Sequence, residues 1–271
     1  MGKPLAIIHP EHRPAGRLRA AVFDFDGTLS TLRHGWESVM RPMMLEYISG
    51  GQPPQPETAR RVEEYIEAST GIQTIYQMKW LAGQVEQAGY ARPERDEWWY
   101  KDEYNRRLMV QVEERLEALE SGQKGPEEFL IEGAPEFLQL LRSRGLELFL
   151  ASGTDHRDVE REAGALGVAQ YFSLIKGAPE RQAACSKEAV LRMLLEEKGI
   201  AGSELLLVGD GKVEIALGAS IGAYTLGIAS DEQLRHGLNP AKRKRLVKAG
   251  ADAVAGDFTI LSALLDWLDF S

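Results

Sequence analysis

Ala20-Ala21-Val22-Phe23-Asp24-Phe25-Asp26-Gly27-Thr28-Leu29 runs four apolar residues into two aspartates, one residue apart, and a glycine turn. The pattern predicts a buried strand with a polar exit. Strand side chains alternate faces, so Asp24 and Asp26 are expected to point the same way just past the strand end. Two carboxylates held that close repel, and they stay ionised only if a cation or a shared proton offsets the repulsion. A stretch with no chemistry to perform would gain nothing from that cost. The pair therefore reads as a site, and as a metal site first.

Moving outward, two other segments follow the same plan. The apolar run 146–151 ends in Ser152-Gly153-Thr154-Asp155, and the run 205–208 ends in Gly209-Asp210-Gly211. Residues 223–228 read as another buried strand, and 253–255 as a short last one. Helical patterns at 135–144 and 187–198 lie between them. The alternation predicts an α/β fold, a Rossmann-like parallel sheet with helices on both faces. Ligands of such sheets bind beyond the carboxyl ends of the strands, which is where these polar residues fall.

Residues 33–125 differ: they show helical periodicity and no convincing buried strand. Candidate helices span 56–69, 73–89 and 95–120, with breaker clusters at Gly50-Gly51-Gln52-Pro53-Pro54 and Ser121-Gly122-Gln123-Lys124-Gly125-Pro126. The expected organisation is an α/β core from 1–32 and 126–271, with an all-helical cap from 33–125 inserted over the strand ends. The role of residues 1–17 stays open.

Composition narrows the function classes. With 41 acidic against 32 basic residues, the formal charge of −9 argues against nucleic-acid binding, which needs a basic footprint. The single cysteine, Cys185, excludes an intramolecular disulfide and fits a reducing compartment. It has no adjacent histidine and reads as a poor nucleophile. No apolar run approaches the ~20 residues of a membrane helix. The expectation is a soluble, cytoplasmic protein with no membrane partner, of undetermined oligomeric state.

Taken together, Asp24-Phe25-Asp26-Gly27-Thr28, Ala151-Ser152-Gly153-Thr154, Lys187 and Gly209-Asp210-Gly211-Lys212-Val213-Glu214 resemble the haloacid dehalogenase (HAD) superfamily of phosphohydrolases. The resemblance covers about 18–32 and 130–230, and the helical insert matches only in position and character. It implies that Asp24 is the nucleophile, forming an aspartyl-phosphate, and that Asp26 is the general acid and base. It further implies Mg²⁺ held by the Asp24 and Asp210 carboxylates and the Asp26 backbone carbonyl. Ser152 would bind the transferring phosphoryl group with the amides of Gly153 and Thr154 at a helix opening, and Lys187 would stabilise the crowded anions. Lys187 has rivals in Lys176 and Lys212, but it stands 23 residues before Asp210 at a helix start. Glu214 replaces the aspartate common at its position. Being longer, it would reach the metal through water or fix Lys187 by an ion pair.

Other residues carry weaker expectations. His34, His156, Arg157 and the break Thr70-Gly71-Ile72-Gln73 could reach the substrate, against blander readings as polar surface or helix connector. Trp98, Trp99, Tyr100 and Tyr104 read as inter-helix packing, as do Met40, Met43 and Met44. Lys242-Arg243-Lys244-Arg245, with Lys248, reads as a solvated helix face. The leading function is a Mg²⁺-dependent phosphatase acting on a small phosphorylated metabolite, a sugar phosphate or a phosphoglycolate-like acid. The alternatives are a phosphomutase using the same intermediate, a dehalogenase, which Asp26 and Asp210 argue against, and a non-catalytic binding module.

Overall fold

The structure, a computed structural model, describes residues 5–14, 18–183 and 186–270. Among them, seven strands form one sheet: β1 (Leu5–Ile7), β2 (Ala20–Phe23), β3 (Glu147–Asp155), β4 (Leu174–Ala178), β5 (Leu205–Gly209), β6 (Tyr224–Ile228) and β7 (Ala253–Ala255). Between β2 and β3 lie α1 (Glu37–Ile48), α2 (Pro56–Ser69), α3 (Thr74–Gln87) and α4 (Glu97–Glu120). Around the sheet lie α5 (Ala134–Ser143), α6 (His156–Ala165), α7 (Ser186–Arg192), α8 (Lys212–Ser220), α9 (Pro240–Lys248) and α10 (Leu261–Leu268).

The strand order is β1-β7-β6-β5-β2-β3-β4, and only β1 runs antiparallel to its neighbour. β2 sits between β5 and β3, with Phe23 opposite Val208 and Leu150. Asp24 is therefore level with Gly209 and Ala151, and the three polar exits emerge side by side. Alternation sorts the strands onto two faces. Ala21 and Phe23 join Leu148, Leu150, Leu206 and Val208 in a core with α5, α6 and α10. Ala20 and Val22 join Phe149, Leu205 and Leu207 against α7 and the π turn Met193–Glu197 that continues it. Phe23 is fully buried, edge-on to Phe137 and Phe172. Truncating it to alanine costs about 3–5 kcal/mol and loosens the strand that carries Asp24.

Several elements depart from the sequence reading. β1 and β4 were not expected: β1 has three residues on an edge, and Lys176 and Gly177 break the apolar run of β4. β3 continues to Asp155, with a register shift against β4 between Ala151 and Asp155. Helix α6 therefore opens at His156, and Gly153 and Thr154 belong to the strand exit rather than to a helix's first turn.

The inserted helices pack on each other and share one apolar cluster with the α5–α6–α10 face of the sheet. Met40, Met43, Met44, Leu108 and Val112 belong to it beside Phe23 and Leu29. Asp96 starts α4 by accepting a hydrogen bond from Trp99 N at 2.8 Å. The chain enters and leaves the helical block side by side. Thr31 N donates to Phe129 O at 2.8 Å, and Ile131 N donates to Leu29 O at 2.9 Å.

Candidate active site

The strand exits form the floor of a cleft of about 130 Å³. Asp24 Oδ1 accepts a hydrogen bond from Phe25 N at 2.9 Å, and Oδ2 lies 2.9 Å from Lys187 Nζ. Lys187, in the first turn of α7, also lies 3.0 Å from Glu214 Oε2. Glu214, in the first turn of α8, caps its own helix by accepting from Gly211 N at 2.5 Å. All three side chains are buried.

Asp210 leaves β5 on the other side of this row, with Oδ2 2.7 Å from Lys242 Nζ. Lys242 Nζ is in turn 2.6 Å from Glu232 Oε1, and Glu232 Oε2 lies 3.5 Å from His34 Nδ1. Gly27 has φ +73°, and a Cβ there would overlap Asp210 Oδ2 and come within 3.1 Å of Lys242 Nζ. Glycine at this turn thus lets Asp210 approach the Asp24–Asp26 loop.

Asp24, Asp210 and Glu214 can each offer one oxygen, all within 4.8 Å of one another. The donor set is all carboxylate, which suits a hard divalent cation. Burial pushes the Asp24 carboxyl well above its usual range against the pull of Lys187, with Glu214 and Asp210 adding to the rise. Burial also raises Asp210, against Lys242. For Glu214, the attraction of Lys187 and the helix-start amides outweigh burial and hold the carboxyl down. Two acids that need more positive charge than two lysines supply are what a cation would satisfy.

Asp26 turns away from this trio. Its Oδ2 accepts hydrogen bonds from Thr154 Oγ1 at 2.7 Å and Ser152 Oγ at 3.4 Å. Its Oδ1 is buried and has no hydrogen-bond partner among the described residues. Ser152 Oγ accepts from Thr154 N at 3.0 Å, so the Ser152–Thr154 exit is shaped around the Asp26 carboxylate.

The helical block forms the roof. Thr70, Gly71 and Ile72 line the cleft. A Cβ on Gly71 would lie 3.4 Å from Gly211 Cα, and one on Gly153 would lie 3.7 Å from Gln73 Cα. The break between α2 and α3 therefore lies directly over two strand exits. From α4, the Lys101 ammonium pairs with Asp155 Oδ1, and Asn105 Nδ2 donates to Asp155 Oδ2 at 2.9 Å. Arg33 grips Glu162 at 2.5–3.2 Å and reaches Asp158 at 3.1 Å.

Several candidates lie elsewhere. Lys176 is exposed, and the Lys212 ammonium donates to Ala68 O beneath the roof, which leaves Lys187 as the lysine on the floor. His156 Nδ1 accepts from Gly177 N at 3.3 Å, and neither it nor Arg157 lines the cleft. His34 does not line the cleft itself but meets Glu232, which does, and that contact raises its pKa. Trp99 and Tyr100 pack edge-on around Tyr47. Cys185 lies outside the described residues.

Lys242 corrects the reading of its basic run. It is buried, because it shares a helix face with Leu246 four residues on and that face turns toward Asp210. The i, i+4 pairing with a leucine was the available signal. Glu232, Arg33, Lys101 and Asn105 were not singled out from the sequence, and Asp155 was read only as the last residue of the Ser152–Asp155 exit. Their partners are distant in the chain, and no local motif marks them.

Comparison with known proteins fits this geometry. The family model for haloacid dehalogenase-like hydrolases matches residues 18–222. Phosphoglycolate phosphatase of Escherichia coli K12 is 29% identical over 100 residues, 37% of this chain and 40% of that protein. A 5'-nucleotidase of Pseudomonas aeruginosa is 29% identical over 114 residues, 39% of this chain and 50% of that protein. The chain thus matches half or less of the length of these curated relatives. Among solved structures, a β-phosphoglucomutase from Clostridium difficile superposes with TM-score 0.63 at 14% identity, over 93% of this chain and 98% of that one. A predicted phosphoglycolate phosphatase from Haemophilus somnus 129pt gives TM-score 0.59 at 18% identity, over 92% and 98%. At these identities the two structures speak for the fold. The match over 18–222, on the strand exits described above, shows that the chain belongs to the haloacid dehalogenase-like hydrolase family.

Proposed function

We propose that this protein is a Mg²⁺-dependent phosphatase of a small phosphorylated metabolite, working through an aspartyl-phosphate on Asp24. The observation that carries the reading is the division of labour between the two aspartates. Asp24 is fixed by Lys187 among buried acids, while Asp26 keeps one oxygen unpartnered beside the Ser152–Thr154 exit. Residues 1–32 and 126–271 act as the catalytic core, and 33–125 as a cap that closes over it.

Asp24 attacks phosphorus through a carboxylate oxygen, and the bond from phosphorus to the leaving oxygen breaks. Asp26 gives its proton to that oxygen, so the product leaves as an alcohol rather than an alkoxide. The resulting Asp26 carboxylate then takes a proton from water, whose oxygen attacks the aspartyl-phosphate, releasing phosphate and restoring Asp24. Thr154 and Ser152 orient the Asp26 carboxylate for both transfers. Ser152 and the Gly153 amide receive the phosphoryl oxygens, while the Thr154 amide, which donates to Ser152 Oγ, holds that hydroxyl in place. Lys187 offsets the charge that builds up around Asp24, and Glu214 holds Lys187 in place.

Asp24 and Asp210, with the Asp26 carbonyl, would hold Mg²⁺, and Glu214 lies close enough to support them. When bound, the cation neutralises phosphate and carboxylate charge so that the two anions can approach. Phosphate release from a panel of small phosphomonoesters, with Mg²⁺ and with chelator, tests the reading. It predicts Mg²⁺-dependent release that Asp24→Asn abolishes. Full activity in Asp24→Asn, or isomerisation of a sugar phosphate without release, would overturn it.

A further inference from the structure

The roof of the cleft carries a hydroxyl that the protein itself does not use. Tyr104, on α4, is 3% exposed and lines the cleft, and its Oη has no hydrogen-bond partner among the described residues. Burial raises the phenol well above its usual pKa, so it stays a proton donor at neutral pH.

The charges around it are already committed. Among the described residues, three cations line the cleft, and each is paired: Arg33 with Glu162 and Asp158, Lys101 with Asp155, and Lys187 with Asp24 and Glu214. A second anionic group on a substrate would meet no uncommitted cation among the described lining residues, and it would face Asp155 and Glu232. Space adds a third constraint. A cavity of about 150 Å³ holds a ligand the size of benzene. At about 130 Å³, this cleft has room for a phosphoryl group with two or three carbons, and a hexose or a nucleoside would extend beyond it.

We propose that the cleft selects the phosphomonoester of a small, uncharged, hydroxylated alcohol, with Tyr104 hydrogen-bonded to the alcohol's free hydroxyl. The inference rests on the phosphatase reading and narrows it, disfavouring acids such as phosphoglycolate.

The test measures kcat/KM of the full chain with Mg²⁺ on 2-hydroxyethyl phosphate, ethyl phosphate, phosphoglycolate, glucose 6-phosphate and acetyl phosphate. The expected result is a preference for 2-hydroxyethyl phosphate over phosphoglycolate and glucose 6-phosphate by about tenfold or more. In Tyr104→Phe, the ratio of 2-hydroxyethyl phosphate to ethyl phosphate should fall about 3–10-fold, as expected for one neutral hydrogen bond. Phosphoglycolate hydrolysed as well as the hydroxyethyl ester, or an unchanged ratio in Tyr104→Phe, would overturn the inference and leave the phosphatase reading intact. No enzyme-dependent phosphate release from any of these esters or from the anhydride acetyl phosphate would sink both.

Discussion

The floor and the roof of the cleft are held in place by different means. On the floor, Asp24, Lys187 and Glu214 are buried on strand exits and helix starts, and each charge faces another across 2.9–3.0 Å. The roof bears on the floor through a shared apolar cluster and the pair that buried Lys101 makes with Asp155, and at its margin through exposed pairs, Arg181 with Asp102 at 2.6 Å and Arg161 with Glu113 at 2.7 Å. A buried charge row cannot be rearranged cheaply, whereas marginal ion pairs are each worth about 1 kcal/mol or less. The floor is built to be rigid, which suits chemistry that needs preorganisation, while the pairs at the roof's margin cost little to break.

The contrast can be broken at its strongest point first. Asp24→Asn should lower phosphatase activity by on the order of 10⁴-fold while leaving the fold intact, read by phosphate release and circular dichroism. A smaller loss would move the nucleophile off the floor.

Lys187→Met comes next, because it leaves Asp24 and Glu214 buried without their cation. Breaking a buried pair of this kind costs about 3–5 kcal/mol, measured by urea unfolding. Unchanged stability would mean that the row is not held by its charges.

Asp102→Asn, which breaks the exposed pair with Arg181, should separate the two regions. We expect unfolding stability to change by about 1 kcal/mol or less, because one marginal pair is lost. Amide exchange in α4 should nevertheless accelerate as the roof opens more often. Equal acceleration in β2 and β5 would show that floor and roof open as one unit.

The smallest effect is expected in acid. On the roof, hydrogen bonds from Arg106, and then Arg107, hold the Glu103 carboxyl down to about 2, below its ordinary 4.5. A lowered carboxyl stabilises the fold above the ordinary value and loses that contribution as pH falls toward 2. Glu103→Gln should therefore flatten the acid limb of the stability profile between those values, and an unchanged limb would count against the network.

The floor was far more legible in the sequence than the roof's attachments. Buried parallel strands are continuous apolar runs, so β2, β3 and β5 stand out, and their polar exits mark a site even before the strand order is known. β1 and β4 escaped because three residues at an edge, or a run broken by Lys176 and Gly177, carry no such signal. The roof helices were readable from their period, and α2 begins and ends at Pro56 and Ser69 as read. What they touch was not. Arg33 meets Glu162 across 129 positions, and Lys101 meets Asp155 across 54. Pairing over such distances is set by the tertiary fold and leaves no local spacing to read. Lys242 was misread for a related reason: four consecutive basic residues look like solvent-facing charge until the helix face shared with Leu246 is considered.

The way the chain passes into and out of the helical block has a consequence for ancestry. Leu29–Thr31 and Phe129–Ile131 lie against each other, joined by backbone hydrogen bonds and an antiparallel bridge between Ser30 and Leu130. The two ends of the block are therefore neighbours, and a tight turn could join them without disturbing the strand that carries Asp24. A gene for such a protein can gain, lose or exchange the segment between those anchors as a cassette. New substrate preferences could then arise by recombination at one seam that leaves the strand carrying the aspartate pair intact.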